Sequence, residues 1–203
     1  MRRILLIGSG GYFTQAVLQA LVGLKVIPSA YWQSSPLPAV VEQRLAGVRI
    51  DSGGAHTKLP ALLNQHRIEA RGGCLDQLEN DLQSLTFDFL LVACWPKLID
   101  ISRLGSIRCA ALNLHPSLLP GYRGIDPVAA QIKAREQVFG TTLHLLSDQF
   151  DAGAIIAQQA FTLPTASYRE IEHKAALTGA ALFVEALQDY PAWSPMDQEI
   201  NLP

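Results

Sequence analysis

The chain is poor in several features that would have fixed its chemistry at once. It has three cysteines in 203 residues, Cys74, Cys94 and Cys109, widely spaced and forming no CxxC. That excludes a disulfide framework, and the thiols are expected as reduced core residues of a cytoplasmic protein. Long apolar runs are also missing. Arg2 and Arg3 precede only Ile4, Leu5, Leu6 and Ile7 before Gly8, too short a stretch for a signal peptide or a membrane span. Charged residues are scarce at 17%, and the formal net charge is −2. No basic field is available for nucleic acid, so none is expected as a partner, nor is a membrane. The five histidines show no i,i+4 pair, and no metal is expected. A Gly-x-Ser-x-Gly elbow is absent, which removes the serine-hydrolase reading. Nothing in the chain bears on oligomeric state.

The chain is rich in apolar substance, 49% of the residues, enough for one sizeable domain. We assign 1–190 to it and 191–203 to a tail with little periodicity. Arg3–Ile7 reads as a strand closed by Gly8-Ser9-Gly10-Gly11. Phe13, Ala16, Val17, Ala20, Leu21 and Leu24 come next at helical spacing. Strand, glycine turn and amphipathic helix open a doubly wound α/β fold, Rossmann-like, with a mostly parallel sheet between two helical layers. Lys25–Ala30 is predicted as the second strand and Tyr31–Pro38 as loop. Ala39–Ala46 reads as a short helix, Val48–Ile50 as a short strand and Asp51–Pro60 as loop. Helix is predicted for Leu59–His66 and Leu75–Leu85, with a brief strand at Ile68–Ala70. Phe87–Ala93, apolar except for Asp88, has the character of a central parallel strand covered on both faces. Further on, Ile125–Arg135 reads as helix, and Thr141–Ser147 and Ala154–Thr162 as strands. Ser167-x-x-Glu170 is a capping box that opens a long last helix.

The glycine turn lacks the third glycine of a dinucleotide fingerprint, and no acid stands after the second strand to hold a ribose. An NAD site is therefore not expected. Backbone N–H groups at Gly10 and Gly11 either meet a substrate or close a plain turn; the residues alone leave both open.

The informative stretch is Asn113-Leu114-His115-Pro116-Ser117-Leu118-Leu119-Pro120, directly after the apolar Cys109–Leu112. On a strand Asn113 and His115 share one face, and Pro116 ends the ladder. A carboxamide and an imidazole then stand together at the carboxyl end of a strand, where ligands bind in open α/β sheets. Asp148-Gln149-Phe150-Asp151-Ala152-Gly153 supplies an acid. Together with Arg123-Gly124, these segments resemble the folate-dependent formyltransferases, clearly over Phe87–Gln158 and more loosely back to Ile4. That family includes glycinamide ribonucleotide transformylase, methionyl-tRNA formyltransferase and the sugar N-formyltransferases.

The resemblance implies 10-formyltetrahydrofolate as co-substrate and a primary amine as acceptor. It implies Asn113, His115 and Asp151 as the catalytic set. The chemistry of these side chains suits formyl transfer. An amide N–H and an imidazolium are donors for an oxyanion, and a carboxylate favours the charged imidazole and relays a proton. The resemblance further assigns the folate to Trp95, Lys97, Leu98, Ile99, Leu112, His144, Asp148 and Gly153. Read without it, His144 is a core or surface residue, Asp148 a turn former and Trp95 a buried ring. Gly10, Gly11 and Arg123 are the acceptor candidates, although a solvated role suits Arg123 as well. The purine enzyme carries Gly-Ser-Asn at its phosphate loop, where this chain has Gly11-Tyr12-Phe13, so a ribonucleotide acceptor is not favoured. The tRNA enzyme has an additional carboxyl-terminal barrel, and the stretch after Pro191 is too short for one. The expected acceptor is thus a small-molecule amine. The alternatives are a hydrolase releasing formate from the same folate and a folate-binding protein without activity.

Overall fold

The computed structural model describes residues 2–34, 55–84, 86–95, 97–99, 109–163 and 167–198. The predicted helix Ala39–Ala46, strand Val48–Ile50 and the first four residues of the loop Asp51–Pro60 lie outside the described residues; the rest of that loop is helix, which starts at Ala55 and not at Leu59 and carries Pro60 inside it.

The fold starts from the buried apolar strand β1 (Ile4–Gly8), which feeds the helix α1 (Tyr12–Gly23). Then come β2 (Ala30–Ser34), α2 (Ala55–Gln65), β3 (Glu69–Gly73), α3 (Leu75–Ser84) and β4 (Phe89–Ala93). The second half holds β5 (Ala110–His115), α4 (Pro127–Lys133), β6 (Val138–Leu145), β7 (Ile155–Thr162) and α5 (Tyr168–Asp189). One seven-stranded sheet results, in the order β3-β2-β1-β4-β5-β6-β7. Pairing is parallel from β3 through β5 and antiparallel for β5–β6 and β6–β7. The predicted doubly wound α/β architecture is thus the one found.

Strand β2 begins later than predicted. Lys25 sits at φ 65 and closes α1 instead of starting a strand. Its N–H donates to the Val22 carbonyl at 3.0 Å and the Val26 N–H to the Leu21 carbonyl at 2.9 Å. This crossed pair satisfies the last helix carbonyls, and the strand forms only after Pro28. Part of the predicted loop from Tyr31 is therefore strand.

Two apolar layers sandwich the sheet. Ile4, Leu6, Phe89, Leu91, Leu112 and Leu114 pack under α1 and α5, while Leu5, Ile7, Leu90 and Val92 face α3 on the other side. Each such fully buried aliphatic side chain contributes roughly 1.5–3 kcal/mol. Of the cysteines, half-buried Cys109 packs against the second layer, while Cys74 is half-buried outside the two layers and Cys94 is exposed, contrary to expectation. Cys94 stands just past β4 at φ 65, where the chain turns out of the sheet.

The predicted capping box is present, with Ser167 and Glu170 bonded reciprocally at the start of α5. The tail is more structured than its sequence suggests. Trp193 donates to the Ala186 carbonyl at 2.8 Å, and Met196 forms an antiparallel bridge with Ile155. Among the described residues no helix is long and apolar enough to cross a membrane.

Candidate active site

Strand register brings the polar side chains together. Asn113 on β5 pairs with His144 on β6, and His115 pairs with Thr142. Paired residues in an antiparallel ladder point to the same face, so the Asn113 amide lies beside the His144 ring. The β6–β7 register shifts between Leu143 and His144, a bulge beside the site. The loop leaving β6 returns Asp151 to the same spot. Gly153 makes that return possible, because a Cβ there would lie 1.8 Å from the Leu145 carbonyl oxygen.

Asp151 is the hub. Asn113 Nδ2 donates to its Oδ1 at 3.1 Å, and the Gly124 N–H donates to Oδ2 at 2.9 Å. His115 Nδ1 lies 3.4 Å and His144 Nε2 3.7 Å from Oδ1. Burial pushes the Asp151 carboxyl up, but the two imidazoles and the Gly124 N–H outweigh it and hold the group well below the usual carboxylate range. The other His115 nitrogen, Nε2, faces the Tyr122 carbonyl at 2.9 Å. Both ring nitrogens thus face oxygen atoms, the Asp151 carboxylate on one side and the Tyr122 carbonyl on the other. His144 is held from both sides as well: Nδ1 meets the Leu145 carbonyl at 2.8 Å, and Nε2 lies 3.0 Å from Asn113 Nδ2. The ring thereby fixes the position of the amide.

Two cavities meet at this cluster and share Trp95, Asn113, Phe150 and Asp151 as their partition. One is lined by Lys97, Leu98, Ile99, His144 and Gln149 among others. The second is walled by Ser9, Phe13, His115, Asp126, Tyr168 and Glu172 among others. Asp126 caps α4, accepting from the Ala129 N–H at 3.1 Å, and also accepts from the Tyr168 hydroxyl at 3.2 Å. Burial pushes the Glu172 carboxyl up to about 7, with Arg169 opposing and Asp126 reinforcing the shift.

The structure thus gathers Asn113, His115, Asp151, Trp95, Lys97, Leu98, Ile99 and His144 around one junction. Other expected residues fall elsewhere. Leu112 is fully buried in the core, on the strand face opposite Asn113, and lines neither cavity. Asp148 is exposed and lies outside the lining, unlike its neighbours Ser147 and Gln149. Gly153 packs on the Leu145 backbone and shapes the loop without facing a ligand. Gly10, at φ 79, turns against Gln33, and neither it nor Gly11 lines either of these two cavities; Ser9 and Phe13 line the second. Arg123 is bonded to Gln198, and its neighbour Gly124 is the lining residue. Asp126, Tyr168 and Glu172 carry no signal in the sequence, since Asp126 is an ordinary helix cap and Tyr168 and Glu172, four apart on one face of α5, have no local partner that marks them.

A family model described as formyl transferase matches residues 46–187, well over half of the chain. The chain belongs to the formyl transferase family. The formyl donor of this family is 10-formyltetrahydrofolate. A methionyl-tRNA formyltransferase of Chloroflexus aurantiacus is 31% identical over 93% of this chain. The match covers 59% of that relative, so the chain spans less than two thirds of its length. A phosphoribosylglycinamide formyltransferase of Haemophilus influenzae is 34% identical over 48% of this chain and 46% of its own. Among solved structures, glycinamide ribonucleotide transformylase 1 from Symbiobacterium toebii superposes with a TM-score of 0.70 at 19% identity, covering 97% of this chain and 95% of that one. An N-formyltransferase from Helicobacter canadensis, in complex with folinic acid and dTDP-3-aminofucose, gives 0.69 at 17% identity over 99% of this chain and 69% of that one. These structural likenesses speak for the shared fold.

Proposed function

We propose that the chain transfers a formyl group from 10-formyltetrahydrofolate to a primary amine of a small-molecule acceptor. The observation that carries this reading is the junction itself: an amide, an imidazole and an ionised carboxylate stand where two separate cavities meet. The cavity of Trp95, Lys97, Leu98 and Ile99 fits the folate ring, with apolar walls and a flanking histidine. The cavity reached past Ser9 and Phe13 takes the amine.

In this mechanism the amine nitrogen attacks the formyl carbon from the acceptor side. The new C–N bond forms and the carbonyl oxygen gains the charge. The His115 imidazolium stabilises that oxyanion by charge, and the Asn113 amide stabilises it by a hydrogen bond. In the ligand-free arrangement both Asn113 amide protons have partners, Asp151 and His144, so one is exchanged for the oxyanion during reaction. Asp151, ionised throughout the neutral range, accepts the proton lost by the amine and passes it toward N10 of the folate as the old C–N bond breaks.

Product analysis tests the reading. Purified protein with 10-formyltetrahydrofolate and a panel of methionyl-tRNA, glycinamide ribonucleotide and dTDP-amino sugars should yield one N-formylated small molecule. Free formate without a formylated amine would establish the hydrolase instead. Formylation of the tRNA alone would overturn the small-molecule acceptor.

A further inference from the structure

Two loops hold the catalytic groups in place, and one side chain from outside both is bonded to each. Gln198 lies beyond α5, in the segment that Met196 anchors to Ile155 with backbone hydrogen bonds of 2.7 and 2.9 Å. Its Nε2 donates to the Asp151 carbonyl at 2.9 Å and to the Gly153 carbonyl at 2.7 Å. Its Oε1 accepts from Arg123 Nε at 3.1 Å and from Nη2 at 2.5 Å.

The consequences converge on one carboxylate. Asp151 sits at φ 53, a left-handed conformation that side chains other than glycine enter at a cost. A carboxamide bonded to carbonyls 151 and 153 pins that turn. Arg123 lies between Tyr122, whose carbonyl meets His115, and Gly124, whose N–H meets Asp151. Holding Arg123 therefore fixes the second loop relative to the first. One end must donate twice while the other accepts, which a carboxamide supplies and a carboxylate or a thioether does not.

We propose that Gln198 is a positioning residue for the Asp151 carboxylate, acting through both loops at once, so that the segment after α5 belongs to the catalytic unit. The kinetic part of the test rests on the formyl-transfer reading; the spectroscopic part does not.

The test compares the full chain with Gln198→Met and Gln198→Glu. Methionine fills the space without the hydrogen bonds; glutamate keeps an acceptor for Arg123 and loses both donors. In ligand-free protein with ¹⁵N-labelled histidine, the His115 and His144 ring signals should move in both variants toward those of Asp151→Asn, with little change in melting temperature. Ring signals that stay at their wild-type positions overturn the proposal. With 10-formyltetrahydrofolate and whichever panel acceptor the wild type formylates, kcat should fall about 10- to 100-fold in both variants, the usual scale for a displaced catalytic group. The folate KM should stay within about twofold, since the 97–99 and 144–149 walls of the donor cavity are untouched. Wild-type kcat in Gln198→Glu also overturns it, because Arg123 alone would then be what matters. A wild type that formylates nothing removes the support for formyl transfer, while the histidine spectra still decide Gln198.

Discussion

The two cavities are walled in different ways, although they share a partition. The donor-side walls come largely from two short stretches, 92–99 at the end of β4 and 144–151 at the end of β6. The acceptor-side walls are contributed by the turn after β1, the start of α1, the 124–128 segment and the first turns of α5. A site assembled from contiguous segments keeps its pattern in the sequence. Where single residues contribute, as Ser9, Phe13, Tyr168 and Glu172 do on the acceptor side, it does not. The contrast suits the chemistry, since a constant donor needs a fixed slot, whereas an acceptor site is free to vary residue by residue.

The strongest way to break the distinction is to alter the partition that both sides use. Asp151→Asn removes the charge facing His115 while keeping the shape, and kcat should fall by about 10²–10⁴, the range for a positioned acid or base. Folate and acceptor affinities should change much less, as measured by titration calorimetry. Near-normal kcat would make Asp151 a turn residue and dissolve the proposed mechanism. Asn113→Ala should cost somewhat less, about 10²–10³ in kcat, the usual loss of one oxyanion donor. Loss of folate affinity with kcat intact would instead make Asn113 part of the donor slot.

Legibility in the sequence divides along the same line. Asn113, His115 and Asp151 are readable because strand alternation, the Pro116 stop and the acidic loop each have a local signature. Leu112 is misplaced by resemblance, although the alternation that puts Asn113 on one face puts Leu112 on the other. The start of β2 is hidden because Lys25 and Val26, apolar-flanked and extended on paper, are consumed in closing α1. Glu172 gives no signal, as an acid on a long helix is ordinarily a solvated one. Gln198 gives none either, its partners being distant in sequence and mostly backbone.

The acceptor side is sharpened by Glu172. Its carboxyl is raised to about 7 in the folded protein by burial, against about 4.3 in an unfolded chain. A raised acid contributes stability that is fully present below the unfolded pKa and is lost as pH rises through the folded one. Stability should therefore decline between about pH 4.5 and 7 by roughly 3–4 kcal/mol through this group. Glu172→Gln should flatten that decline and be the more stable protein at pH 8, by denaturant titration at both ends. Identical pH profiles would mean that Glu172 is solvated in the folded state. Folate affinity, set across the partition, should not move.

The donor side is sharpened by the smallest change. Leu98 is 39% exposed, an uncovered apolar side chain at the edge of the cavity assigned to the folate. Since it is only partly buried, Leu98→Ser should leave the melting temperature nearly unchanged. Covering its exposed area on ligand binding is worth about 1 kcal/mol at roughly 25 cal/mol per Å² of apolar surface. The serine variant should accordingly bind 5-formyltetrahydrofolate about fivefold more weakly by calorimetry, with a smaller negative heat-capacity change. The acceptor KM should stay as in wild type, because Leu98 lines the donor cavity alone. A matching rise in acceptor KM would show that the two cavities are not independent, and unchanged folate affinity would move the ring away from the 97–99 wall.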